Sequence, residues 1–387
     1  MATAKINYGA KTSEGDENHI GAGVMMTNYA IALSKVWGER DNNGFYGARG
    51  DNEPLFRQEF LMSSWMMEQI SLIPVMADRG QSFNVGSNDL SSGRKEGGRF
   101  IKRLPFRGTE YTLADTETCS SVSYQDLTAL LNFAGNELFI RTIQGIFRQS
   151  ILLDILRTGF NGTHAAVNTD PESYPMGQDI NTGWHEIARQ YNNGSQIITD
   201  GFTFGDGGDF SNLDELAQHV INEKIPQPLR ERPDLVVLVG YELAAHDRAR
   251  LFSDADKKVT LSGMERMQSQ VAGRFAFIPP MMPGKRLTVT TLANLQVMTG
   301  IRTQRFKVGW NDDTRTFDHY YIRSEGYALG DARMYASTDE NAITFKKAGQ
   351  SNQSGQTNQT EPTAPTVDSP AGDATVNPGA GTQESAG

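Results

Sequence analysis

A long helical pattern in the first half of the chain is the feature that most constrains its fold. Apolar residues recur there at the three- and four-residue spacing of one helix face. They are Leu127, Leu130, Leu131, Ala134, Leu138, Ile143, Phe147, Ile151 and Ile155. A single helix from Tyr124 to Thr158 would be about 50 Å long at 1.5 Å per residue. A helix of that length must lie across most of a domain.

The residues around this helix predict where it begins and ends. Ser123 and Asp126 have the spacing of a capping box. Gly159 fits the left-handed position just past a helix end. Gly135 and Gly145 both weaken a helix interior, so we expect a bend or break near Gly135.

The segment before the helix, residues 81–115, has a different composition. It is poor in large apolar residues and rich in Gly and Ser. Alternation in Phe100–Leu104 and in Tyr111–Leu113 predicts two strands of a long hairpin. We call residues 81–115 the extended hairpin. It carries six cations: Arg94, Lys95, Arg99, Lys102, Arg103 and Arg107. A polar protrusion of this length is uncommon in a compact fold unless it has a function.

The second half of the chain has an α/β pattern. Ser211 and Asp214 are predicted to cap a helix that bears Leu213, Leu216, Ala217, Val220 and Ile221. Leu235–Val239 is apolar on both faces, which predicts a strand buried on both sides. Short strands are predicted at 274–278, 286–289, 295–299, 305–308 and 318–323.

Both ends of the chain are polar. Residues 1–50 are rich in Gly and Asn, with one helical stretch from about Val24 to Trp37. From Lys347 onward there is no aromatic residue. Such a segment cannot bury enough apolar area to offset the entropy of ordering it. We therefore predict that residues 347–387 form a disordered tail.

Composition and charge restrict the classes of function. With 387 residues, 38% of them hydrophobic and 21% charged, the chain can form two or three ordinary globular domains. A net charge of −10 argues against a protein whose main task is to grip phosphates. Cys119 is the single cysteine, which excludes an intrachain disulfide and favours a reducing compartment. No signal-peptide core occurs in residues 1–10, and no apolar run of membrane-spanning length occurs in the sequence, so no membrane partner is expected.

The sequence contains little that predicts catalysis. His185-Glu186 begins like a zinc-binding HExxH motif, but Arg189 occupies the position of the second His. Gly284-Lys285-Arg286 lacks the upstream glycine of a phosphate-binding loop. We therefore predict no catalytic residue, no metal and no cofactor. A metal-dependent hydrolase that uses His185 and Glu186 remains an alternative from another functional class.

Three separated patches, taken in order, resemble one known family. They are Gly159–Gly162, then Pro175–Asp179 with Gly183-Trp184, then Gly207–Phe210 with Leu213-Asp214 and Pro233–Gly240. This ordered set resembles the major capsid protein of P2-like contractile-tailed bacteriophages. Weaker similarity extends from about Pro54 to about Tyr335. Residues 1–50 and the last forty residues carry none of it.

The resemblance implies an α+β fold of the Hong Kong 97 capsid type, with five parts and a tail. Residues 1–50 would be an N-terminal arm, and the extended hairpin would lie across a neighbouring subunit. Residues 51–80 and 116–207 would form a peripheral domain that contains the long spine helix. Residues 208–300 would form an axial domain, and residues 301–346 would be strands that return to the peripheral domain.

The resemblance also implies a function and partners. The chain would assemble with itself, as pentamers and hexamers, into an icosahedral shell that encloses the double-stranded DNA of a tailed phage. Scaffolding, maturation-protease and portal proteins would be further partners. Assembly would take place in the cytoplasm of the bacterial host. An encapsulin-like nanocompartment shell is the alternative with the same fold. The hairpin cations would pair with acidic residues of a neighbour, contact packaged DNA, or simply be solvated.

Overall fold

The structure is a computed structural model that describes residues 22–37, 44–47, 65–83, 92–101, 108–253 and 270–346. The helices are α1 (Ala22–Trp37), α2 (Trp65–Gln69), α3 (Tyr124–Asn161), α4 (Trp184–Gln190), α5 (Leu213–Lys224), α6 (Gln227–Arg230) and α7 (Tyr241–Ser253). The strands of the first half are β1 (Tyr46–Gly47), β2 (Ser71–Val75), β3 (Arg79–Gln81), β4 (Glu110–Thr112), β5 (Ala114–Ser123), β6 (Ile197–Ile198) and β7 (Phe202–Phe204). Those of the second half are β8 (Val236–Val239), β9 (Gln270–Val271), β10 (Arg274–Phe277), β11 (Leu287–Thr290), β12 (Leu295–Gly300), β13 (Arg305–Asn311), β14 (Thr316–Leu329), β15 (Ala336–Thr338) and β16 (Ile343–Phe345).

The predicted long helix is present as α3, with 38 residues. Ser123 caps its start, because the Ser123 Oγ accepts from the backbone N of Asp126 at 3.1 Å. Of the predicted bend or break near Gly135, the break is wrong, since the helix runs through that residue without interruption. The predicted left-handed Gly159 is also wrong. Gly159 lies inside the helix, which ends at Asn161 with Gly162 as its cap.

Helix α3 packs against the first of two six-stranded sheets. The strand order of that sheet is β1-β13-β14-β12-β2, and β5 pairs with the free side of β14. Strand β14 pairs with β5, β13 and β12, all antiparallel, so it is the central strand and runs further than the predicted 318–323. The face of α3 that carries Ile143, Phe147, Ile151 and Ile155 is buried in the core between helix and sheet.

Part of the predicted N-terminal arm packs on the same core. Helix α1 lies against α3, and its Met26 and Tyr29 side chains are buried. Tyr46 of β1 is also buried, and β1 pairs with β13. The rest of residues 1–50 lies outside the described residues. That the N-terminal arm reaches a neighbouring subunit therefore stays a prediction for the rest of residues 1–50, outside α1 and β1.

The second sheet has the strand order β6-β15-β11-β8-β10-β9. Helices α5 and α7 cover one face of it with a second apolar core. Every residue of β8 is buried, as its sequence predicts: Val237 and Val239 face this second core, whereas Val236 and Leu238 contribute to the first. The predicted cap of α5 is one residue off, because Asn212 accepts from Glu215 N at 2.9 Å and Ser211 lies before it.

The two sheets divide the chain differently from the predicted boundaries at two places. Strand β12, at the end of the predicted 208–300 segment, belongs to the first sheet. Strand β15, in the predicted returning segment 301–346, joins the second sheet, and β16 pairs with β7. The sheet to which each strand belongs depends on strands that are distant in sequence, and local sequence patterns do not predict that pairing. The predicted tail, residues 347–387, lies outside the described residues. No helix within the described part of the chain is long and apolar enough to cross a membrane.

A buried ion pair lies within the first sheet. Arg323 and Glu325 of β14 are 2% and 1% exposed, and their side chains are 2.5 Å apart. The Arg323 Nη1 donates to Thr118 Oγ1 at 3.0 Å, and the Tyr327 hydroxyl donates to Glu325 Oε1 at 2.7 Å. Burial works to lower the pKa of Arg323, but the charge of Glu325 outweighs it, and the pKa is raised. Arg323 therefore keeps its charge inside the core, where the hydrogen bonds of its guanidinium compensate for lost hydration.

His319 is a second buried titratable group of β14. Its ring stacks on Phe147 of α3 with centroids 4.4 Å apart, and meets Phe306 of β13 at the same centroid distance. Burial lowers the pKa of His319 from 6.5 to about 3. The folded protein therefore keeps this imidazole neutral at pH values where the unfolded chain would protonate it.

We predict opposite effects of the same substitution at two glycines of α3. A Cβ at Gly159 would lie 2.4 Å from the Trp184 ring, so Gly159→Ala should destabilise the protein by about 1–3 kcal/mol. A Cβ at Gly145 meets nothing within 4 Å, so Gly145→Ala is the matched control and should stabilise by about 0.5–1 kcal/mol. Urea denaturation followed by tryptophan fluorescence measures both values. Equal stabilisation by the two variants would show that the Trp184 ring leaves room for a side chain at position 159 and would contradict the prediction.

We also predict that stability falls as pH decreases below about 6.5, in part because of His319. The unfolded chain binds a proton there and the folded protein does not, so each acidification step favours unfolding. His319→Leu should reduce the slope of unfolding free energy against pH by up to about 1.4 kcal/mol per pH unit. The control is His219→Gln, because the His219 side chain is 43% exposed. An unchanged slope in His319→Leu would contradict the prediction.

Candidate intersubunit site and helix-end junction

The extended hairpin is anchored at its base to the first sheet. Strands β3 and β4 pair antiparallel, with Gly80 opposite Tyr111. Gly80 is needed there, because a Cβ would lie 2.6 Å from the Tyr111 hydroxyl. Further along the hairpin, the Gly108 N donates to Ser82 O at 2.8 Å, and the Thr109 N donates to Leu329 O at 2.9 Å. The base is therefore held rigidly against β14.

Three of the six predicted contact cations lie in the described part of the hairpin. Arg94, Lys95 and Arg99 are all exposed. Within the described residues none of them forms an ion pair with a carboxylate. Lys102, Arg103 and Arg107 lie outside the described residues. As far as the structure describes the chain, these three positive charges are thus available to a partner.

The predicted hairpin strand Phe100–Leu104 is not formed in the residues that can be compared. Phe100 and Ile101 lie outside any strand. The Phe100 ring covers Gly93, where a Cβ would be 2.7 Å away, and Ile101 is 79% exposed. A strand needs a hydrogen-bonded neighbour, and among the described residues none lies beside this segment. Within the described part of the chain, Phe100 and Ile101 therefore have no strand partner.

The structure brings together the first two sequence patches at the end of α3. The indole of Trp184 is fully buried against Gly159 and meets the Phe160 and Tyr327 rings edge-on, at 5.2 and 5.5 Å. Its Nε1 donates to Gln296 O in β12 at 3.0 Å. Gly183 lies so close that a Cβ would be 2.5 Å from Thr158 O. Gly159 therefore lets the Trp184 ring pack directly on the backbone of α3, and Gly183 lets the backbone before α4 approach Thr158 closely.

The loop between α3 and α4 folds back on the same junction. The Thr163 N donates to Gln178 O at 2.7 Å, and the Ala166 N donates to Asp179 O at 2.8 Å. The buried carboxylate of Asp179 accepts from Asp170 N at 2.6 Å. Gly177 has φ +67°, a conformation that favours glycine. The Pro175–Asp179 patch is thus a turn that closes this loop.

Most of the third patch contributes to the second core, and its strand β8 also contributes Val236 and Leu238 to the first. Asp209 accepts from the backbone N and the Oγ1 of Thr203, both at 2.8 Å. These hydrogen bonds lower the pKa of Asp209. Asp214 accepts from Ala272 N at 2.6 Å, which ties α5 to the segment before β10. The acidic residues of this patch thus hold the loops around α5.

Arg286 is a junction residue that sequence reasoning missed. It is 3% exposed, and its Nε and Nη2 donate to Glu340 Oε2 at 3.0 and 2.7 Å. Its Nη1 donates to Phe160 O at the end of α3. In the sequence analysis it appears beside Lys285 in a failed phosphate-loop match and as the first residue of a predicted strand. No local signal distinguishes an arginine that satisfies a buried helix end from a surface arginine.

His185 and Glu186 do not form an accessible catalytic pair. The His185 side chain is 4% exposed, with Nδ1 3.4 Å from the Tyr335 hydroxyl. Burial, with the nearby charges of Arg286 and Arg189, holds the pKa of His185 well below 6.5. Glu186 instead lies 3.4 Å from Arg189 Nε. Among the described residues no group of three or more His, Cys, Asp or Glu side chains could hold a metal ion.

Comparison with known proteins gives consistent matches. Residues 27–341 match the model of the phage major capsid protein family of P2 type. The capsid protein of Escherichia phage P2 is 24% identical over 291 residues, which cover 70% of this chain and 79% of that protein. In the satellite phage P4 procapsid, solved with its size determination protein, a chain has a TM-score of 0.60 and 24% identity; the match covers 75% of this chain and 99% of that one.

A more distant match bears on the nanocompartment alternative. An encapsulin complex from Synechococcus elongatus has a TM-score of 0.38 and 12% identity, with 72% of this chain covered and 88% of that one. This similarity is too low to support an encapsulin function. The family match, in contrast, spans most of the chain. The predicted Hong Kong 97-type α+β fold and the predicted capsid function are confirmed: this chain belongs to the P2 family of phage major capsid proteins.

Proposed function

We propose that copies of this chain close an icosahedral shell of pentamers and hexamers around double-stranded DNA, and that the extended hairpin is the main contact between neighbouring subunits. The observation that carries the proposal is the state of the hairpin. Its base is anchored on β14, whereas Arg94, Lys95 and Arg99 have no carboxylate partner in their own subunit among the described residues. On a chain of net charge −10, acidic surface on a neighbour is the abundant partner.

Apolar side chains of the hairpin support a protein partner in preference to DNA. Phe83 is 70% exposed, Phe100 44% and Ile101 79%. Exposed apolar groups clustered beside charges are typical of protein–protein contacts. A shell wall with a strong net negative charge would hold its DNA loosely and without sequence specificity.

The domain organisation is also a proposal. The core between α3 and the first sheet corresponds to a peripheral domain, in which α3 is the spine helix. The core under α5 and α7 corresponds to an axial domain at the five-fold and six-fold axes. Scaffolding, maturation-protease and portal proteins would be partners during assembly in the host cytoplasm. The role is mechanical, and no step of it requires a catalytic residue.

The purified protein should be multimeric and form rings, shells or sheets. The reason is that the free cations and exposed apolar groups of the hairpin lose their partners in a monomer. Light scattering and electron microscopy measure this state. A solution that contains only a 42.6 kDa species, even with a scaffolding partner, would contradict the proposal.

Replacing Arg99, Lys102, Arg103 and Arg107 together with Gln should lower particle yield and leave the fold intact. A single exposed pair contributes about 0–1 kcal/mol, but several pairs recur at every subunit contact. Assembly of the wild type should weaken as salt shortens the screening length, which is about 10 Å at 0.1 M. Circular dichroism of unassembled subunits checks the fold, and electron microscopy counts the particles.

The matched control keeps the charge at these positions. Arg99→Lys, Arg103→Lys and Arg107→Lys, with Lys102 unchanged, should assemble close to the wild-type level because the attraction between opposite charges remains. If the Gln variant assembles normally at every ionic strength, the hairpin cations are only solvated and the proposed contact is wrong.

A further inference from the structure

The turn between α4 and β6 carries an exposed asparagine that is followed by glycine. Residues 191–193 are all exposed, and β6 begins at Ile197. Asn192, Asn193 and Gly194 have φ values of 45°, 55° and 77° in succession. This left-handed conformation is unfavourable for most side chains, and Gly and Asn adopt it most readily. The Asn-Asn-Gly sequence therefore suits the turn, and it places an amide side chain next to the backbone nitrogen of a residue that has no Cβ.

The side-chain amide of Asn193 is open to solvent. Among the described residues, none forms a hydrogen bond with it. An asparagine amide that is exposed, unbonded and followed by glycine is the arrangement in which the next backbone nitrogen most readily attacks the amide carbon. Two other Asn-Gly pairs occur in the sequence, at Asn43 and Asn161. Asn43 lies outside the described residues, so Asn161 is the pair with which Asn193 can be compared.

Asn161-Gly162 has the same two residues in a closed setting at the end of α3. The Asn161 Nδ2 donates to Arg157 O and to Met281 O, both at 2.8 Å. The Gly162 N donates to Thr158 O, also at 2.8 Å. Attack by this nitrogen on the Asn161 amide would break all three hydrogen bonds and rotate the backbone of the helix end. The structure therefore protects one Asn-Gly pair and exposes another.

We propose that Asn193 is a site of spontaneous deamidation, with water as the co-reactant. The backbone nitrogen of Gly194 forms a bond to the Cγ of Asn193, and the bond from Cγ to Nδ2 breaks. The proton of the attacking nitrogen leaves with the amide nitrogen as ammonia. Water then opens the resulting five-membered ring at either of its carbonyl carbons, which gives aspartate or isoaspartate. No atom is oxidised or reduced.

The reaction adds a carboxylate to each subunit, on a turn that solvent reaches. In the isoaspartate product the backbone also gains one carbon between residues 193 and 194, in the turn that leads into β6 of the second sheet. The protein, already at a net charge of −10, thus becomes more negative as it ages. The chemistry does not depend on shell formation, so its test and that of the proposed function are independent.

The test is to incubate the full-length protein in heavy-oxygen water at mildly alkaline pH and to analyse its peptides by mass spectrometry. The peptide that contains Asn193 should incorporate heavy oxygen many-fold faster than the peptide that contains Asn161. In urea both should react at similar rates, because the contacts that protect Asn161 are then lost. Equal rates in the folded protein, or no incorporation at Asn193, would overturn the proposal.

Two variants assign the reaction to one residue. Asn193→Gln should abolish incorporation in this turn, since the longer side chain would have to close a larger ring. The matched control is Asn192→Gln, because Asn192 is also exposed and has a positive φ, but is not followed by glycine. This control should keep the incorporation at Asn193. Incorporation that persists in Asn193→Gln, or that disappears in Asn192→Gln, would contradict the assignment.

Discussion

The contact between the Trp184 indole and the backbone of α3 at Gly159 is the constraint on which the rest of the structure depends. The indole occupies the space that any side chain at Gly159 would need. It also reaches β12 through its Nε1 and Tyr327 of β14 through its ring. One buried side chain thus connects the long helix, the following loop and the first sheet. Because the indole is fully buried, a shift of the helix would open a cavity around it.

The same helix end connects the two cores. Arg286, the residue before β11, donates to Phe160 O and to Glu340. Asn161 Nδ2 donates to Met281 O at 2.8 Å, close to the second sheet. These are polar contacts of a helix end that would otherwise bury unsatisfied carbonyl groups. A shell protein needs its parts to move as a unit under load, and a buried junction with several hydrogen bonds provides stiffness.

The hairpin and the β5 edge show the opposite condition. The base of the hairpin is hydrogen-bonded to β14, but Arg94, Lys95 and Arg99 form no ion pair among the described residues. Among the same residues no strand pairs with the side of β5 that faces away from β14. A monomeric protein would gain little from such surfaces and would risk aggregation. In a family of capsid proteins, such surfaces are expected because the subunits associate with one another. A stiff junction inside the subunit, together with hairpin and strand surfaces that are available for contact, suits a protein that assembles with copies of itself.

Local sequence patterns determined the elements whose signal lies within a few residues. The apolar stripe predicted α3, the Ser123 cap predicted its start, and the two-sided apolar run predicted β8 as a buried strand. Strand β5 gave no such signal, since its Thr and Ser residues carry no apolar alternation and its pairing with β14 alone makes it a strand. Tertiary structure decided the role of Gly159, which sequence reasoning took for a helix cap. It also placed Arg286 and His185 in the core, and put β12 in the first sheet and β15 in the second, across the boundaries of the predicted segments. In each case the deciding contact comes from residues distant in sequence, so packing settles what a local pattern cannot report.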